Sequence, residues 1–207
     1  VTGFLFAICG IDGSGKSTVA YQLVDILKSA GYDAIGLSEP TYQSKAGRTV
    51  RKFLDDHIPI NGNELLDLFI KDRTYDVETN IVPALNDNKI VIMDRYITSS
   101  AVYEASDELS WKEILRINRS RLFPEPDVIF VLTPGVEVAW ARIILRGEQI
   151  SQYETKTELY RTQALYDEIC LNDKRGHYIN IDSSGDKPHE TAQNIYGHIV
   201  KYLNEEK

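Results

Sequence analysis

Apolar residues along the chain fall into short dense runs separated by longer amphipathic ones. Five short stretches read as strands: Phe4–Cys9, Asp33–Leu37, Lys89–Asp94, Asp127–Leu132 and His177–Asp182. The first, third and fourth are almost wholly apolar, as strands covered on both faces are. Between them the spacing turns helical. Val19, Leu23, Ile26 and Leu27 share one face, and that run stops at Gly31, a residue suited to ending a helix. Asn61–Leu85 predicts one long helix, limited or bent in its last turn by Pro83. Trp111–Arg119, Val136–Leu145, Lys156–Asn172 and Glu190–Leu203 predict four more. The stretch Gly147–Glu158 is polar, nearly devoid of aliphatic residues, and reads as mobile.

Strands alternating with helices imply a five-stranded parallel sheet with helices on both faces, in one domain spanning residues 1–207. Such sheets bind ligands beyond the C-terminal ends of their strands. Every chemical motif below lies at a strand end or just after one.

The first is GIDGSGKST, from Gly10 to Thr18. Gly10, Gly15, Lys16 and Ser17 fit G-x-x-x-x-G-K-[ST], between an apolar strand and an amphipathic helix. Glycines, Gly13 and Ser14 among the turn residues, let successive backbone N–H groups converge on phosphate oxygens, and the helix dipole adds to them. Lys16 is expected on the β- and γ-phosphates and Ser17 on Mg²⁺. This makes the fold class a three-layer α/β/α P-loop NTPase fold, binding a nucleoside triphosphate. A GTPase is disfavoured, since no N-K-x-D follows a strand; Asn172-Asp173-Lys174 has the wrong order.

Asp94 closes the third strand and suits the Mg²⁺ shell or the positioning of an acceptor, with Arg95 neutralising the transferred group. The same Asp-Arg-Tyr also suits a strand-end ion pair. Glu39-Pro40 marks a tight turn after the second strand, with the isomer of that bond left open. Arg48 and Arg51, three apart, suit a monophosphate clamp or a solvated basic face. Phe69 and Arg73, four apart, suit a ring that stacks on a base beside a guanidinium that bonds its carbonyl, or a core ring and a surface cation.

Composition narrows the class. With 31 acidic against 23 basic residues the net charge is −8, the wrong sign for general DNA or RNA binding, though a local basic pocket is compatible with it. Two isolated cysteines, Cys9 and Cys170, make neither a metal cluster nor a disulfide framework and favour a reducing cytoplasm. The Phe4–Cys9 run is too short to span a membrane and lacks the flanks of a signal peptide.

Taken together, GIDGSGKST, SEPT, FIKDR, VIMDRYITSSAVYE and RGEQISQYE resemble, in order and spacing, the thymidylate kinases. The resemblance covers essentially the whole chain; the Asp-Arg-Tyr, Ser-Ser and Tyr combination is its most specific part. It implies ATP-dependent phosphorylation of dTMP to dTDP with Mg²⁺, usually in a homodimer, with no nucleic-acid or membrane partner. It assigns Asp12 to the acceptor's sugar hydroxyl, Phe69 to stacking on thymine and Arg73 to a thymine carbonyl. Arg95 joins Arg48 or Arg51 on the acceptor phosphate, with Glu39 beside them. Ser99 and Ser100 lie near the base, and Tyr103 under the sugar, where it leaves no room for a ribose 2′-OH. Residues 146–158 resemble a lid over ATP, preceded by Arg142 and Arg146. Because the phosphate loop carries no basic residue except Lys16, the further positive charge is expected from the lid side, carried by Arg146 as catalytic residue and Arg142 on ATP, with Arg161 as a contributor. Asp182–Ser184 resembles the loop over adenine, although a capped turn fits it as well.

Three departures stand out. Ser151-Gln152 replaces the Asp-Arg of many relatives' lids. Ser38 replaces the arginine before Glu-Pro, and Glu104 follows Tyr103 where relatives often have glutamine. Rival readings are kinases of another pyrimidine monophosphate or of a deoxynucleoside, for which Glu39 stands where a base is needed, and a nucleotide-switched sensor without turnover.

Overall fold

The computed structural model describes residues 3–56, 62–151, 153–185 and 187–205. Its five strands are β1 (Phe4–Gly10), β2 (Ala34–Ser38), β3 (Ile90–Asp94), β4 (Val128–Leu132) and β5 (Tyr178–Ile181). All pair in parallel, in the order β2-β3-β1-β4-β5. Each expected strand is present within a residue or so of its ends.

Alternation along the strands explains their apolar character. Leu5, Ala7 and Cys9 join Val91, Met93, Ile129 and Val131 in one core, while Phe6 and Ile8 join Ile92, Phe130 and Leu132 in the other. The second core is closed by α1 (Lys16–Ser29), through Val19, Leu23 and Leu27, and by α9 (Pro188–Glu205), through Ala192, Ile195 and Ile199. The first is closed by further helices: α3 (Gly62–Asp76), α4 (Val82–Asn86), α5 (Ile97–Tyr103), α6 (Trp111–Ser120), α7 (Val136–Arg146) and α8 (Lys156–Asn172). The result is helix, sheet, helix in three layers. With both faces buried, a strand has no reason to present polar residues until it reaches its tip.

The helix expected over 61–85 departs from regularity. Asn61 lies outside the described residues. From Gly62 the chain is α-helical to Asp76, widens to a π-helical turn at Val77–Ile81, and resumes as α4. The Val82 N–H bonds the Val77 carbonyl five residues back. Pro83 is the cause: it has no N–H for the Thr79 carbonyl, and its ring needs the room a wider turn supplies. Helix α5 was not expected from periodicity, because Ile97 through Val102 are all buried and no polar face marks it. The helix carrying Arg48 and Arg51 is α2, Lys45–Asp56.

Strand order decides the geometry of the site. β1 and β3 are neighbours, with Ile8 opposite Asp94, so the loop leaving β1 and the Asp94-Arg95 corner leaving β3 stand side by side. The Arg95 N–H bonds the Ile8 carbonyl at 3.0 Å and ties the two tips together.

Candidate functional site

The phosphate loop connects β1 to α1. Gly13 has φ of +77°, and a Cβ there would sit 2.3 Å from the Ala139 carbonyl of α7, so only glycine fits. Ser14 packs in the loop's interior, and the Ser183 hydroxyl donates to its carbonyl at 3.3 Å. Gly15 is the N-cap of α1 and offers no side-chain acceptor, which leaves the first-turn N–H groups open to an anion. Lys16 is buried; its ammonium donates to the Ile11 carbonyl at 2.8 Å. Ser17 and Thr18 face outward in the first turn of α1.

Asp12 is the hub. Its carboxylate receives the Arg95 guanidinium and lies 3.7 Å from Lys16 Nζ. Burial opposes charge on all three groups. For Asp12 the nearby Arg95 and Lys16 outweigh it and hold the carboxyl below its usual value. Arg95 is held well above its usual value, because Asp12 and the other anions outweigh its desolvation. For Lys16 desolvation wins, aided by the charge of Arg95, and pushes it down to about 8. Two cations share one anion here, an arrangement that a phosphate completes.

Beside this hub the Ser17 hydroxyl donates to Asp94 Oδ2 at 2.5 Å, while Asp94 Oδ1 is buried with no hydrogen-bond partner. A hydroxyl and a carboxylate with a spare lone pair are hard oxygen donors of the kind Mg²⁺ takes. Among the described residues no group of three or more His, Cys, Asp or Glu side chains could hold a metal ion.

A cavity of about 470 Å³ opens next to Asp12 and Arg95. Phe69, Leu54 and Leu65 form its apolar wall, and Tyr103 lines it with its ring 4.9 Å from the Arg95 guanidinium. Arg73 sits at its inner end and is only 1% exposed, which removes the surface-cation reading. It donates to both oxygens of Glu39, the nearer at 2.5 Å, to the Ser100 hydroxyl oxygen at 3.0 Å, and to Asn118 Oδ1. Burial pushes Glu39 up to about 7 against the pull of Arg73. Ser99 also lines the cavity and contacts the Tyr166 hydroxyl at 3.3 Å. The Glu39–Pro40 bond is cis.

Other expected residues lie elsewhere. Neither Arg48 nor Arg51 lines the cavity. Arg48 donates to the Tyr42 and Gln43 carbonyls, and Arg51 bonds the Pro40 carbonyl and covers the Tyr42 ring at 3.6 Å. Both guanidiniums are engaged by the loop's own carbonyls. Arg146 does reach the cavity, paired with Glu148 at 2.7 Å and Glu154 at 2.8 Å. Arg142 reaches the Ser183 and Gly185 carbonyls at 2.9 and 2.8 Å. Asp182 accepts from the Ser184 N–H at 2.8 Å, which is the capped-turn geometry. Arg161 pairs with Glu158 and bonds the Val102 carbonyl. Gln152 lies outside the described residues.

Some residues of the site carried no sequence signal of their own. Asp72, fully buried, accepts from the Thr41 N–H at 2.7 Å and from the Thr41 and Ser44 hydroxyls at 2.6 and 2.5 Å, and so fixes the turn after Pro40. Asn118 completes the shell of Arg73 from α6. Tyr153, in the polar stretch, lines the cavity and meets the Tyr103 ring edge-on at 5.8 Å. Its aromatic character was the available clue.

A phosphate loop beside a second cavity, the two meeting at Asp12 where the tips of neighbouring strands β1 and β3 converge, is the architecture of a P-loop kinase. The family model described as thymidylate kinase matches residues 8–195, and the chain belongs to that family. Curated relatives agree along its length. A thymidylate kinase of Leptospira interrogans is 37% identical over 164 residues, 79% of this chain and 80% of its own. One from Brachyspira hyodysenteriae is 30% identical over 205 residues, 99% of this chain and 95% of its own. A probable thymidylate kinase of Archaeoglobus fulgidus is 32% identical over 204 residues, 98% of each chain. No helix among the described residues is long and apolar enough to cross a membrane.

Proposed function

We propose that the chain carries out the reaction of its family, phosphorylation of dTMP to dTDP, with ATP as donor and with the roles that follow. The observation that carries this reading is the meeting of Lys16 and Arg95 at Asp12. It supports a grip on a triphosphate through Lys16 and a grip on a monophosphate through Arg95, the two cations sharing one carboxylate. The backbone N–H groups of Gly10–Thr18 and Lys16 hold the triphosphate. The base stacks on Phe69 in the apolar half of the cavity, and Asp12 and Tyr103 bracket the sugar. Arg95 holds the acceptor phosphate.

A phosphate oxygen of dTMP attacks the γ-phosphorus in line, and the bond to the ADP oxygen breaks. A phosphate dianion needs no strong base, so catalysis is positioning and charge stabilisation. Ser17 and Asp94 would hold Mg²⁺, which when bound supplies positive charge to the phosphate oxygens. Arg146 leaves Glu148 and Glu154 for the transferring group as residues 146–158 close and exclude water. A single domain over 1–207, a homodimer and a cytoplasmic setting belong to the same proposal.

The competing deoxynucleoside kinase reading needs Glu39 as base. Against it, the Glu39 carboxylate is committed to Arg73. ADP formation measured with dTMP, dUMP, dGMP and thymidine in parallel tests the choice. dTMP is expected to give the largest stimulation; a larger one with thymidine overturns the reading.

A further inference from the structure

Glu104 is a buried acid of the acceptor cavity that the reaction has not used. It caps the C-terminus of α5, directly after Tyr103, lines the cavity and is 5% exposed. Neither of its carboxylate oxygens has a hydrogen-bond partner among the described residues. A buried carboxylate left in that state is costly unless it is neutral or meets a ligand. The neighbouring cation makes no hydrogen bond to it: the Arg73 guanidinium donates to Glu39, Asn118 and Ser100, and its attraction through space is weaker than the cost of burial.

We propose that Glu104 reads the edge of the acceptor's base as an uncharged carboxylic acid, its carbonyl oxygen accepting from the ring N–H and its hydroxyl donating to the ring carbonyl alongside. The inference rests on the cavity being the acceptor site. A pyrimidine with an imide edge, thymine or uracil, presents that N–H next to that C=O, and a protonated carboxyl is its complement. An ionised carboxylate has no donor and would face the ring carbonyl with lone pairs only.

The surroundings favour the neutral form. Desolvation pushes Glu104 up to about 8; Arg73 and Ser100 pull the other way, and the charge of Glu39 adds to the rise. Across the cavity stand Tyr96, Tyr103 and the Asp12–Arg95 pair, with Arg146, Glu148 and Glu154 on the lid side. Glu39 and Lys16 themselves titrate near neutrality, so a pH effect by itself does not identify Glu104. A glutamine in its place does, because an amide keeps one donor and one acceptor and does not titrate.

The experiment uses thymidine as probe, since it has the base but no phosphate to report on Lys16 or Arg95. Its Kd is measured for the wild-type chain and for Glu104→Gln between pH 7 and pH 9, with melting curves to show that the variant is folded. The ratio of wild-type to variant Kd is expected near one at pH 7 and about tenfold higher at pH 9, the change for one group losing its proton near pH 8. Glu104→Leu, with neither donor nor acceptor, is expected to bind weakly at every pH. A ratio that stays constant across the range overturns the proposal, as does a Glu104→Gln that binds far more weakly than wild type already at pH 7. If dTMP also fails to stimulate ADP formation, the acceptor reading falls with it; if dTMP turns over normally, only the role of Glu104 falls.

Discussion

Replacing Arg95 by alanine and, separately, by glycine distinguishes what this arginine does for chemistry from what it costs the fold. Its backbone has φ of +69°, in the left-handed region that a Cβ disfavours, and it is held there between the tip of β3 and the carbonyl of Ile8. Alanine keeps that steric penalty and glycine removes it. Glycine at position 95 should therefore be more stable than alanine by about 1 kcal/mol, reversing the usual order, a melting difference of about 2–4 °C for a chain of this size. Both variants lose the guanidinium. The Asp12 carboxylate then keeps one cation, Lys16, at 3.7 Å, and the acceptor phosphate loses its own. Turnover at saturating ATP and dTMP, followed by ADP release, should drop about 10²–10³-fold in both, the usual scale for removing one preorganised donor from developing charge. Alanine at 95 turning over within about threefold of wild type would refute the role assigned to Arg95. Equal melting temperatures for the two variants would refute the account of its backbone.

Two further outcomes follow from particular contacts. Asp72→Ala leaves the Thr41 N–H and the Thr41 and Ser44 hydroxyls without their shared acceptor; urea titration should show a loss of about 2–4 kcal/mol, and the KM for dTMP should rise more than the KM for ATP, because the turn it fixes leads into the acceptor side. Asp94→Asn should raise the Mg²⁺ concentration giving half-maximal ADP formation by about tenfold or more while leaving the melting temperature of the metal-free chain nearly unchanged, since one carboxylate oxygen has no internal partner to lose; an unchanged Mg²⁺ requirement would remove Asp94 from the metal's shell.

Much of this protein is legible in one dimension because its signals are local. A strand buried on both faces must be apolar, so β1, β3 and β4 announce themselves, and Gly10–Ser17 carries its phosphate chemistry in the backbone conformations that only glycines permit. The residues at the strand ends, Asp94, Arg95 and Glu39, were visible for the same reason: a polar residue after an apolar run must have reached an edge. What no local pattern contains is the pairing of distant segments. Strand order alone put Arg95 against Asp12, 83 positions away in the chain. It was packing that drew Arg73 inward onto Glu39 and Asn118, where helical spacing allowed a surface cation as readily. Arg48 and Arg51 share a helical face as their spacing implied, yet the loop carbonyls of Pro40, Tyr42 and Gln43 engage both. A hydrogen bond or ion pair is formed by whichever partner the fold delivers, and burial then decides whether the charge survives; neither quantity is written in the spacing of residues along one chain.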